Sequence, residues 1–149
     1  MMTSETLPTD SAERKLRPIT SGVLDYFPSA VAEVAFVSYV GNEKHNPGEP
    51  LHHARGKSMD HADCIGRHLL QRGTFDVVKL PDGREFRVRH SAYVAWRALA
   101  MLQEELEADG APLARGAGIP AFGENRLVGE CHPLTVIMPP SSKISERLK

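Results

Sequence analysis

The sequence predicts an all-α domain carrying one inserted β-hairpin. Long apolar or amphipathic segments over residues 28–41, 58–71 and 91–108 each run to a helix-stopping glycine. Two short alternating runs flank Pro81-Asp82-Gly83, which is hairpin punctuation. Three helices give a thin core for this much apolar surface, so the expected architecture is a helical bundle completed by oligomerisation.

The 149 residues suit one modest domain, with 41% hydrophobic and 25% charged residues. A formal net charge of -1 excludes a strong general pull towards nucleic acid or an anionic membrane. Residues 1–22 are polar, contain Pro8 and Pro18, and read as an N-terminal arm without the apolar stretch of a signal peptide. No apolar run reaches membrane-spanning length, and Cys64 and Cys131 form neither a CxxC pair nor a disulfide framework. The expectation is a cytoplasmic protein.

The helical domain spans residues 23–110. Its first helix is expected to start at Pro28, a first-turn proline, and to end at Gly41. Almost every residue between is apolar, so burial on most sides is expected. Residues 42–57 form a polar loop, and a second helix follows from about Ser58 to Gln71, with Ala62, Ile65 and Leu69 as its core stripe. The hairpin lies near residues 74–89, with Phe86 and Val88 on one face and Glu85 and Arg87 on the other. A third helix is expected from about Ser91 to Ala108, stopping at Gly110. Residues 111–149 make a Gly- and Pro-rich C-terminal tail with no clear period.

The candidate chemistry sits on the second helix. At 100° per residue, Asp60, Asp63 and Arg67 fall within about a sixth of its circumference. By itself the four-residue spacing of Asp63 and Arg67 also describes an ordinary exposed ion pair. Glu33 adds weight, because it is the one side chain between Pro28 and Gly41 that is charged at neutral pH. It either reaches a narrow solvent strip or is paired, since unpaired burial would cost several kcal/mol. A Mg²⁺ or Mn²⁺ ion held by Glu33, Asp60 and Asp63 would satisfy all three acids. Lys44, His45, His52, His53, Arg55 and Lys57 precede this acidic helix and supply the charge a polyphosphate needs. There is no GxxxxGK[ST] loop, no HExxH or Cys/His zinc quartet, no His-Asp dipeptide and no GxSxG.

The runs "LDYFPSAVAEVAFVSYVGNEKHNPG", "DHADCIGRHLL" and "RHSAYVAWRALAMLQEEL" resemble the phage dATP/dGTP diphosphohydrolases, which group with the MazG-like all-α nucleoside triphosphate pyrophosphohydrolases. The similarity covers about residues 22–109 and rests on the order of short motifs: the AEVA helix, Lys44-x-Asn46, Asp63-x-x-x-Arg67-His68-Leu69 and the helix start at His90. The resemblance implies a metal-dependent cleavage of dGTP and dATP to the monophosphate and pyrophosphate. In phage infection this would feed 2-aminoadenine nucleotide synthesis and deplete dATP. It implies Mg²⁺ or Mn²⁺ as cofactor and a homodimer or homotetramer as the assembly. Catalysis would fall to Glu33, Asp63 or Glu43, and metal binding to Glu33, Asp60 and Asp63. Lys44, Arg67 and His68 would hold phosphate, and Asn46 would position the loop or read the base. The chain departs from the superfamily's E-x-x-E helix, because Ala30 and Phe36 stand three residues either side of Glu33. Two other readings stay open: a pyrophosphohydrolase for another nucleotide, and a non-enzymatic helical interaction module.

Overall fold

A computed structural model describes residues 5–53, 55 and 59–117. The expectations for Lys57 and Ser58, and for the tail from residue 118 on, lie outside the described residues. The described chain is mostly helical, with four α-helices and a two-stranded antiparallel hairpin. In chain order these are α1 (Ser11–Lys15), α2 (Pro28–His45), α3 (His61–Leu70), β1 (Phe75–Lys79), β2 (Glu85–Arg89) and α4 (His90–Ala108).

Inside the expected arm, α1 is a short exposed helix whose N-cap Asp10 accepts from the Glu13 amide at 2.9 Å. A π-helical turn over Thr20–Leu24 then leads to α2, where Pro28 takes the first-turn position its fixed φ favours. Gly41 does not end α2. The helix runs a further turn to His45, and the Asn46 amide closes it on the Asn42 carbonyl at 2.6 Å. The side chains beyond Gly41 find tertiary partners, which outweighs the modest helix penalty of one interior glycine.

The hairpin turns as its sequence requires. Leu80 and Gly83 close a tight turn at 3.0 Å, and Gly83, at φ 89°, takes the left-handed position that a side chain would strain. Phe86 opposes Val78, and Val88 opposes Asp76. Period-two alternation therefore puts Val78 and Val88 on one buried face, with Phe86 half-buried beside them.

The core lies where this face meets α2 and the start of α4. Val37, Val40, Val78, Leu80, Val88 and Ala92 are buried there, and Phe36, Phe86, Tyr93 and Trp96 pack around them. Phe36 meets Phe86 edge-on at 5.5 Å, a favourable aromatic geometry. Because α4 begins directly after β2, the hairpin aims that helix between α2 and α3.

Two expectations about burial are corrected. The N-terminal half of α2 is exposed rather than buried, since only Val37, Val40 and Asn42 of this helix are buried. Of the expected inward stripe of α3, Ile65 is half-buried, but Ala62 is exposed and Leu69 is 44% exposed. The face turned inward is led by His61 and Cys64, which are buried, with His68 half-buried. The polar face turns in because α4 supplies partners for it: Glu104 for His61, and His90 and Tyr93 for His68.

Among the described residues no single helix is long and apolar enough to cross a membrane. Ser11–Leu24 and α2 reach that composition only together, across an 88° bend.

Candidate functional site

The C-terminal half of α2, the residues Leu51, His52, His53 and Arg55, and one face of α4 line a cavity of about 620 Å³. That size and its largely apolar lining fit a small-molecule site. On the α2 wall, Val37, Ser38, Gly41 and Asn42 line it, with His45 and Asn46 beyond them. Gly41 contributes open space, because a Cβ built there meets nothing within 4 Å.

The α4 wall presents Tyr93, Trp96, Arg97 and Glu104 at three-, four- and seven-residue steps, one helical face. Trp96 is held rigidly. Its indole N–H donates to Ser38 Oγ at 2.8 Å, its edge meets the His53 ring at 4.9 Å, and Arg97 lies over its face at 5.7 Å. Glu104 is the one carboxylate among the described lining residues. His61 Nε2 lies 3.1 Å from its Oε2, and His61 Nδ1 lies 3.5 Å from Arg97 Nη1.

The third wall brings His52, His53 and Arg55. Arg55 forms a two-pronged pair with Glu107, its Nη2 donating to Oε1 at 3.1 Å and its Nη1 to Oε2. Gln103 and the Ala114 amide also donate to Glu107, each at 2.8 Å. Led by the Arg55 hydrogen bond, these donors hold the Glu107 carboxyl down at about 2. Burial, reinforced by the Arg55 charge, pushes the His53 pKa below its ordinary value, so this ring is neutral at neutral pH.

A second polar cluster adjoins the cavity through Tyr93. His68 stacks on Tyr93 at 4.6 Å and faces His90, Nδ1 to Nδ1, at 2.8 Å. The Tyr93 hydroxyl donates to Asp76 Oδ2 at 3.3 Å, and burial, with the Asp76 charge, raises its pKa well above the usual phenol range. Burial first, and His90 second, lower the pKa of His68.

Of the residues expected to bind substrate, Asn46 lines the cavity, as do His45, His52, His53 and Arg55 from the basic loop. Lys44 is exposed and outside it, and His68 belongs to the Tyr93 cluster. Arg67 and Asp60 do meet, at 2.7 Å, but as a surface pair with both side chains close to half exposed or more. Glu43 is taken up by the hairpin turn, accepting from Arg84 Nη2 at 3.1 Å. Glu33 is exposed on α2, which answers its charge with solvent, and Asp63 is exposed on α3. Among the described residues no three His, Cys, Asp or Glu side chains form a group that could hold a metal ion. Glu33, Asp60 and Asp63 are therefore not gathered into a group that fits one divalent cation.

Asn42, Tyr93, Trp96, Arg97 and Glu104 are among the cavity residues that sequence reasoning did not single out. The available signal was Arg97 and Glu104, seven apart, on the same helical face as Tyr93 and Trp96. No protein-family profile, curated protein sequence or solved structure matches this chain.

Proposed function

We propose that the protein is a nucleoside triphosphate pyrophosphohydrolase acting on purine deoxynucleoside triphosphates, dGTP and dATP, in the cytoplasm. The cavity carries this reading. It is nucleotide-sized, presents Trp96 and Tyr93 as aromatic surface, and is lined by Arg97, Arg55, His52, His53 and one described carboxylate, Glu104. The motif order that resembles the dATP/dGTP diphosphohydrolases supports it independently.

In this reading Trp96 packs against the base, while Arg97 and the histidines meet phosphate oxygens. A water oxygen attacks the α-phosphorus, its proton passes to Glu104, and the bond to the bridging oxygen breaks to release pyrophosphate. His61 holds Glu104 in place. Mg²⁺ or Mn²⁺ stays in the proposal as the cofactor that neutralises phosphate charge, with no residue of a single protomer assigned to it.

The assembly proposed is a homodimer or homotetramer. Its support is the apolar groove between α2 and α4, lined by Phe27, Ala30, Val31, Val34, Ala95, Ala98, Leu99 and Leu102. Such a surface costs free energy if left wet.

The test is chromatographic product analysis of each dNTP with Mg²⁺, Mn²⁺ or chelator, for the natural chain and Glu104→Gln. Metal-dependent dGMP and pyrophosphate from dGTP, lost in Glu104→Gln, is the expected result. Stepwise orthophosphate release would overturn attack at the α-phosphorus. No turnover by folded protein would leave the interaction-module reading, for which the apolar groove is the supporting feature.

A further inference from the structure

The hairpin has two strands, so each of them is an edge. The Leu80 amide donates to the Arg84 carbonyl at 2.8 Å, and the His90 amide to the Thr74 carbonyl at 3.2 Å. These bonds fix the parity of the ladder, because antiparallel bonded pairs recur at every second residue. Thr74, Asp76, Val78 and Leu80 turn their backbone groups towards β2, so Phe75, Val77 and Lys79 turn theirs outward. Those three amides and three carbonyls have no hydrogen-bond partner among the described residues. Backbone groups in that state stay satisfied only where water reaches them. Exposure agrees with a free edge. Val77 is 57% exposed and Lys79 is exposed, while α2 packs on the opposite face, where Val78 is buried.

An open edge is a template for another strand, and proteins blunt it with charge. β2 is blunted, since Glu85, Arg87 and Arg89 hold its outward positions. Pairing β2 with itself about Arg87 would set that arginine against its own copy. β1 is not blunted. Its outward positions carry one charge, Lys79, which is already paired with Glu85 at 3.0 Å. The strand is also its own complement. A two-fold axis at Val77 puts this valine opposite its copy and Phe75 opposite the partner's Lys79. All six unpaired groups on each edge are then bonded, and no like charges stand directly opposite.

We propose that the outer edge of β1 is an interface with β1 of a second copy, antiparallel and two-fold at Val77, joining two hairpins into one four-stranded sheet. Five residues a side is far below the roughly 20–30 of a standard interface, so this contact does not hold two chains by itself. It rests on the groove between α2 and α4 described above, which supplies the primary pairing. A groove-paired dimer offers two β1 edges, and engaging both with a second dimer closes a tetramer.

The experiment is light scattering of the natural chain, Val77→Pro and Val77→Lys, with oxidative cross-linking of Val77→Cys. Proline removes an outward N–H that β2 does not use, a position where edge strands tolerate it. Lysine keeps the backbone and sets two cations at the axis, so it reads the same interface should the proline variant not fold. The expected result is a mass of four chains for the natural protein and of two for either variant. The expected disulfide joins position 77 of two copies, since facing Cα atoms about 5.5 Å apart suit the bond. Unchanged mass in the folded variants, or no such cross-link, overturns the proposal. A natural mass of two chains overturns it too, with the groove reading intact. A natural mass of one chain overturns groove and edge together. A mass that keeps growing with concentration overturns the closed tetramer.

Discussion

His68 and His90 point their Nδ1 atoms at each other across 2.8 Å, 22 residues apart in the chain. At that distance one nitrogen donates and the other accepts, so the contact needs one proton on the facing pair. A second proton would set two N–H groups against each other. Burial and the His90 neighbour lower the pKa of His68, so the unfolded chain takes up a proton below about pH 6.5 that the folded chain refuses. Stability is therefore full above that pH and falls as pH drops towards the folded value. His68→Phe keeps a ring against Tyr93 and removes this titration. Its urea midpoint is expected to change less than that of the natural chain between about pH 7.5 and about pH 5.5.

Glu107 has the opposite sign. Its carboxyl is held at about 2 against a usual 4.5, chiefly by Arg55, so its contribution is present above the usual value and lost as pH falls towards about 2. Glu107→Gln is expected to flatten the acid limb of the denaturation profile in that window. The same variant releases Arg55 and the third wall of the cavity, so its nucleotide affinity should fall at neutral pH, as titration calorimetry would read.

Gly41 separates cavity from stability. Its position is helical, and an added Cβ has open space in front of it. Gly41→Leu should hold or raise the thermal midpoint, since replacing an interior helical glycine is worth about 0.5–1 kcal/mol. The leucine would occupy the cavity, and nucleotide binding should be lost. Retained binding in a folded Gly41→Leu protein would place the ligand elsewhere.

Leu99 and Leu102 of α4 are 58% and 50% exposed beside Phe27 at 57%. Aspartate at both leucines is expected to reduce the mass found by light scattering to that of one chain. The fold should survive, because exposed positions tolerate substitution within about 0.5 kcal/mol. An unchanged oligomer would move the interface off this groove.

The hairpin and α4 were legible because their signals are local. Period-two alternation around Pro81-Asp82-Gly83 puts Val88 on the buried face, and the helix expected near Ser91 starts at His90. The shared face of Asp60 and Arg67 was legible for the same reason, but the exposed ion pair that four-residue spacing assigns to Asp63 and Arg67 forms between Asp60 and Arg67. The rotation of α3 was not legible, because His61 and His68 turn inward only for partners 43 and 22 residues away. A paired Glu33 requires an enclosed α2, and that half of α2 is exposed.

What the sequence by itself determined is the order and type of α2, α3, the hairpin and α4, since turn residues, caps and periodicity act over a few neighbours. The tertiary structure decided which side chains share a site. Asn42, His53, Trp96, Arg97 and Glu104 come from two helices and a loop and converge on one cavity. That convergence follows from how the hairpin aims α4 against α2, a packing outcome set by Val37, Val40, Val78 and Val88 rather than by the site residues themselves. Burial then gives Asn42 and His53 their chemical character, because only a packed interior withdraws water from a polar atom.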